Sequence, residues 1–175
     1  MIVLKHWITN AIAFQSVWFL AFFYQYQALP WMILGCALML AGHTHKRLNL
    51  ILAISGAGVG IASEYLAIQA GLYSYQDANI IPVWLVVLWL ALVLTINQAL
   101  SRLLSLKPLL LFIIFWLCAP PSYLAAAKVG VIELQLPWWQ FWLSFGAIWS
   151  AGFLLIVKIN NALKGTKLAQ ANANW

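Results

Sequence analysis

Nine Lys or Arg and three Asp or Glu are too few to coat the water-facing surface of a 175-residue chain. Its apolar fraction is 65%, against about 45–50% in soluble domains, and only 7% is charged, so a soluble globular domain and a disordered chain are both excluded. The formal net charge of +6 is scattered over the ends of apolar segments and forms no run, which argues against a nucleic-acid partner.

The composition predicts one all-α domain over residues 1–175, a polytopic membrane protein built as a bundle of six transmembrane helices. Apolar stretches place the helices near 7–24, 28–41, 48–68, 81–100, 108–127 and 138–157, with a polar, frayed tail at 160–175. Lys5 precedes the first run, but no A-x-A-like site closes it, so it reads as a retained helix. With six spans, eight of the nine Lys or Arg residues share the side that holds both termini, and only Lys128 lies opposite. That asymmetry predicts cytoplasmic termini in a bacterial inner membrane, with Asp77 and Glu133 outside. Tyr24, Tyr26, Trp31, Tyr73, Tyr75, Trp84, Trp138, Trp139 and Trp142 then map to an outer aromatic belt, and Trp7 to the inner interface.

In the third helix Gly56, Gly60 and Glu64 follow one another at i+4 and share a face. Glycines there admit a close neighbour, so the face that packs tightest ends in a carboxyl group. Glu64 lies about 24 Å along the helix from Leu48, at hydrocarbon depth, where an ionisable group is costly and marks a candidate site. Lys128, at similar depth in the fifth helix, is its expected cation. Pro120 and Pro121, just before Ser122 and Tyr123, are expected to kink that helix and free carbonyls one turn back. Two readings follow. In one, Glu64 is a structural carboxyl group, the tyrosines are interface anchors and Lys128 snorkels outward. In the other, Glu64, Tyr123 and Lys128 are catalytic and Tyr73, Tyr75, Trp84 and Ser122 line a substrate pocket.

Asn10, Gln15, Asn97 and Gln98 form a second polar layer suited to hydrogen bonds between helices, with Asn10 and Asn97 assigned to packing beside Gly56 and Gly60. His43 and His45 lack a nearby carboxylate or thiolate, and Cys36 and Cys118 read as buried free thiols, so no metal and no cofactor are expected. The 42–47 loop, with Lys46 and Arg47, reads as a topology determinant touching anionic head groups.

Three segments carry a resemblance. They are Asn10…Phe14-Gln15…Trp18; Glu64-Tyr65-Leu66…Gly71-Leu72-Tyr73…Pro82-Val83-Trp84-Leu85…Leu88-Trp89-Leu90; and Ala119-Pro120-Pro121-Ser122-Tyr123-Leu124-Ala125…Val129-Gly130-Val131. Together they resemble the membrane family called domain of unknown function 2878. The resemblance implies a small bacterial inner-membrane protein whose relatives often lie near genes for lipid-modifying or carotenoid-related enzymes. The family commonly carries Asp in place of Glu64 and an Asn-His pair in place of Asn97-Gln98. Gly71-Leu72-Tyr73-Ser74-Tyr75 is also similar to a stretch in membrane enzymes of carotenoid metabolism, an analogy at the level of fold. The expected function is a non-catalytic membrane component bound to membrane lipids or to a membrane-protein partner. The alternative is an enzyme acting on a lipid or isoprenoid with Glu64 as acid or base; a small transporter is disfavoured by the scarcity of polar residues.

Overall fold

The computed structural model describes residues 2–75 and 81–173, with side chains at 7–75 and 81–166. Asp77, the 76–79 loop and the side chains of Lys5 and Lys167 lie outside the described residues. Six α-helices carry the fold: α1 (Ile2–Tyr24), α2 (Leu29–Ala41), α3 (Lys46–Gln69), α4 (Val83–Leu94), α5 (Pro108–Lys128) and α6 (Trp138–Ala173). Four helical stretches are long and apolar enough to cross a membrane: Trp7–Ala41, Lys46–Gln69, Pro108–Lys128 and Trp138–Thr166. The first contains both α1 and α2, which pack against each other across the 3-10 turn Gln25–Ala28; Gln25, at φ 45°, breaks the helix there.

The fourth apolar segment departs from expectation. Instead of a helix over 81–100, α4 has only 12 residues, or about 18 Å, short of a full hydrocarbon crossing. Thr95 ends it, because its hydroxyl takes the Leu92 carbonyl at 2.5 Å and its N–H bonds the same carbonyl, tightening the chain into i→i+3 turns. The tail departs in the other direction. Beyond residue 157, α6 stays helical to Ala173, through a stretch rich in Ala, Leu and Lys that contains no Pro.

Helix α4 is the hub. It packs against α1, α2 and α3, while α3 and α5 pack against α6. Seven α4 side chains are buried, among them Trp84, Leu85 and Trp89. α1 and α5 form the two edges of a cleft whose floor is α4. The glycine face of α3 meets α4 directly: a Cβ on Gly56 would stand 2.8 Å from Val93 Cγ1, and one on Gly60 would overlap the Trp89 indole. Helix α5 remains helical through Pro120 and Pro121. The Trp116 carbonyl, which loses its i+4 donor to Pro120, lies against Gly146 of α6, where a Cβ would come within 2.9 Å of it.

Two helix ends repeat one device. Gly71 (φ 69°) follows α3 and Gly130 (φ 78°) follows α5. In each case the next N–H reaches back five residues, Leu72 to Ala67 at 3.1 Å and Val131 to Ala126 at 2.9 Å. Each glycine turn launches a three-residue strand, β1 (Tyr73–Tyr75) and β2 (Ile132–Leu134). The strands pair antiparallel, Tyr73 opposite Leu134 and Tyr75 opposite Ile132. Alternation turns Tyr73, Tyr75 and Ile132 inward and Glu133 outward, so two of the tyrosines assigned to an aromatic belt are buried, as is Trp84.

The Gly60 contact leads to a test. Gly60→Ala is expected to destabilise the bundle by about 1–3 kcal/mol, because Trp89 must move. Gly58, with nothing within 4 Å, is the control: Gly58→Ala is expected to be neutral or stabilising by up to about 1 kcal/mol. Thermal unfolding of both variants in detergent measures the contrast, and equal behaviour would show that the Trp89 contact is not made.

Candidate functional site around Glu64

Glu64 is completely buried, at 0% exposure, one turn beyond Gly60 on α3. Three donors from three elements hold its carboxyl group. Trp89 of α4 donates its indole N–H to Oε1 at 3.1 Å, Tyr123 of α5 donates its hydroxyl to Oε1, and Tyr73 of β1 donates to Oε2. Each donor has a structural reason to be there. Gly60 leaves the space into which the Trp89 ring fits. The Gly71 turn carries Tyr73 back toward α3, and the pairing of β1 with β2 holds it there. Tyr123 sits one turn beyond Ala119, whose carbonyl accepts the Ser122 hydroxyl at 2.7 Å.

Helix α6 supplies the wall. Phe141, Phe145, Trp149 and Phe153 recur at i+4 and are all buried. The Tyr73 ring meets Phe145 edge-on at 5.8 Å, the Tyr123 ring lies 4.2 Å from Phe145, and Trp89 lies 5.3 Å from Trp149. Burial, reinforced by the nearby Glu64, raises the Tyr73 and Tyr75 hydroxyls well above the usual phenol range, so both are neutral at any physiological pH.

The expected pairing with Lys128 is not made. Lys128 is exposed at the last turn of α5, where a cation complements the helix dipole, and it is not among the groups holding Glu64. Of the other expected site residues, Tyr75 stacks edge-on with Trp84 at 5.7 Å beside the centre, and Ser122 faces the cleft. Trp89, which in sequence marks only the family resemblance, and the α6 aromatic row, whose i+4 spacing is visible there, supply much of the site without being among the expected site residues.

The cleft between α1 and α5 reaches this centre from the side. Its volume is about 390 Å³, and Phe14, Trp18, Leu88, Trp89, Ser122 and Tyr123 are among its lining residues. A smaller cavity of about 50 Å³ shares Trp18, Leu88, Ser122 and Tyr123 with it and adds Tyr75 and Trp84. The cleft therefore ends at two of the three donors to Glu64, not at Glu64 itself. Cys118 lies on its wall and is exposed, contrary to the expectation of a buried thiol, whereas half-buried Cys36 points its Sγ at the Val87 carbonyl at 3.6 Å.

A family model described as a protein of unknown function, DUF2878, matches residues 7–155. The chain belongs to the DUF2878 family. Nothing among the curated proteins or the solved structures matches it. The matched DUF2878 region contains all four residues of the centre and both edges of the cleft.

Of the second polar layer of this DUF2878 chain, Asn10, Asn97 and Gln98 gather at the other end of α4, whereas Gln15 is exposed and lines the cleft instead. Asn97 donates to Asn49 Oδ1 at 2.8 Å and to Asn160 Oδ1 at 3.0 Å, tying the segment after α4 to α3 and α6. Buried Asn10 and His43 both donate to the Leu94 carbonyl, at 3.4 and 3.0 Å, and Gln98 donates to the Gly42 carbonyl at 3.1 Å. Burial holds His43 below the usual imidazole range, against the opposing pull of its bond to Leu94. Among the described residues no three His, Cys, Asp or Glu side chains gather in a metal-ligating group.

Substitution at Glu64 separates packing from polarity. Glu64→Leu leaves the buried Tyr73 and Trp89 donors and the half-buried Tyr123 hydroxyl unpaired and is expected to cost at least about 3 kcal/mol. Glu64→Gln keeps an oxygen for Trp89 and Tyr123 and offers its amide to the Tyr73 oxygen, so it is expected to stay within about 1.5 kcal/mol of wild type. Thermal unfolding in detergent reads both, and a Leu variant as stable as Gln would refute the three-donor arrangement.

Proposed function

We propose that this protein is an integral membrane component that holds a lipid-phase ligand in the cleft between α1 and α5, with Glu64 as the fixed frame of the site. The observation that carries the reading is the end of the cleft. An apolar wall leads to the Tyr123 hydroxyl and the Trp89 indole, and both are held by a carboxyl group with no exposed surface. A long apolar ligand suits such a wall, and one polar head suits the hydroxyl at its end. The surroundings of the cleft are themselves apolar helices, so a ligand reaches it from the bilayer. A bacterial inner membrane, six passages and cytoplasmic termini fit the eight-to-one distribution of Lys and Arg, with short α4 packed against α1, α2 and α3.

A second reading, an enzyme acting on a lipid or isoprenoid, is favoured by one specific feature. Tyr123 lines the cleft and its hydroxyl bonds Glu64, so this side chain is the one through which a proton would pass between the buried carboxyl and a bound ligand. In that case Glu64→Gln abolishes turnover in a folded protein. In the binding reading the same variant retains ligand.

Filling the cleft tests both readings. Ala119→Phe projects a ring into it from α5 and is expected to lower the lipid co-purifying with the protein at least about tenfold. Native mass spectrometry of wild type and variant, with lipidomics of the extracted material, measures this; unchanged retention of the same lipid would place it elsewhere. Reporter fusions at Lys164 and within the 76–79 loop are expected to report opposite compartments. The same compartment from both would refute the three passages between the two sites, and with them the count of six.

A further inference from the structure

We infer that the cavity at the Lys-rich end of the bundle is a binding site for the phosphate of a phospholipid head group. The cavity measures about 450 Å³ and lies between Trp7 of α1, the turn after α2 with His43 and Thr44, and the segment after α4 with Gln98 and Arg102. It is separate from the Glu64 cleft and does not depend on what that cleft holds.

The first argument is depth. The apolar stretch Trp7–Ala41 begins at one wall of this cavity and ends one residue before another. The third wall lies between apolar α4 and the start of α5 at Pro108. All three walls stand where the membrane-crossing lengths end, which is the level of head-group phosphates. Trp7, 36% exposed, is an amphipathic ring at that boundary.

The second argument is charge without a counter-charge. The Arg102 guanidinium lies over the Trp7 ring at 5.7 Å, a contact that orients it and leaves its N–H groups free. The chain has three carboxylates in all. Glu64 is enclosed near the far end of α3 and Glu133 is in β2, so among the described residues none balances Arg102. Lys46 and Arg47 lie just beyond the turn that forms the wall and add to the positive field.

The third argument is the frame. Gln98 and Ser101 have their donors occupied within the protein, by the Gly42 carbonyl at 3.1 Å and the Gln98 carbonyl at 2.7 Å, so they set the walls. His43 is pinned by Leu94 through Nε2. The Thr44 hydroxyl and the Arg102 guanidinium have no hydrogen-bond partner among the described residues. A cation held over an aromatic ring, beside a free hydroxyl and inside a preformed cavity, suits a compact anion such as a phosphate diester.

The test uses the full chain in a neutral detergent, with phosphatidylglycerol micelles and inorganic phosphate as separate probes. Phosphatidylglycerol is expected to raise the Tm of wild type by about 3–6 °C. Arg102→Gln is expected to remove that rise, and Lys158→Gln, exposed on α6 and outside the cavity, to keep it. Arg102 is exposed, so its substitution leaves the core intact, and an unchanged Tm without probe verifies this. An equal rise in Arg102→Gln and wild type would overturn the site. An Arg102-dependent rise with inorganic phosphate, but none with phosphatidylglycerol, would overturn the lipid as its occupant.

Discussion

The Trp89 indole lies where Gly60 has no side chain and donates its N–H to Glu64 one turn further along the same helix. Most of the arrangement around the site depends on this contact. It fixes the distance between α3 and α4, because a ring pressed against backbone admits no sliding. It also sets the rotation of α3, because only the Gly56–Gly60–Glu64 face can meet α4 without overlap. In lipid, where burial of apolar surface drives little association between helices, close packing and hydrogen bonds must do this. Here both are supplied by the same pair of side chains.

The carboxyl group extends that constraint to elements that do not touch Trp89. A buried Glu needs acceptor bonds satisfied, and Tyr73 and Tyr123 satisfy them from β1 and α5. The matching glycine turns at Gly71 and Gly130 make this feasible. Each returns the chain toward the bundle, and the short sheet between them joins the ends of α3 and α5. The result is an end cap in which backbone pairing, three donors to one acid, and aromatic packing from α6 all converge on the same few residues.

Much of this was legible in the sequence. Composition alone dictates apolar helices, and the i+4 run of Gly56, Gly60 and Glu64 identifies the face that packs and the acid on it. Tyr123 and Tyr73 were both among the residues expected around Glu64. The cation was not legible. Lys128 is the only basic residue near Glu64 in the expected depth order, but a neutral solution with three donors serves a buried acid as well, and sequence order does not show which tyrosine or tryptophan turns inward. The strands escaped notice because Tyr-Ser-Tyr and Ile-Glu-Leu are too short for alternation to stand out beside long apolar helices. Helix α4 was read as longer than it is because apolarity persists beyond Thr95, while the backbone is stopped by a hydroxyl that competes for its carbonyl.

Why the bundle holds a carboxyl group at all follows from what apolar packing leaves undetermined. A Leu at position 64 would fill the space between Trp89 and Tyr123, but it would leave both rings free to turn. The phenol of Tyr123 would then seek a partner in the cleft or in the lipid. A two-oxygen acceptor with no exposed surface removes that freedom, because any rotation of Trp89, Tyr73 or Tyr123 leaves a buried polar group unpaired. The cost of burying the acid thus becomes a penalty on every wrong arrangement of the three donors. Tyr123, the only one of the three hydroxyl or N–H donors to line both cavities, is the side chain whose orientation a ligand in the cleft would sense. Burying Glu64 therefore fixes Trp89 and Tyr123, the two donors that also line the cleft, and this connects the packing of α3 on α4 to whatever the cleft holds.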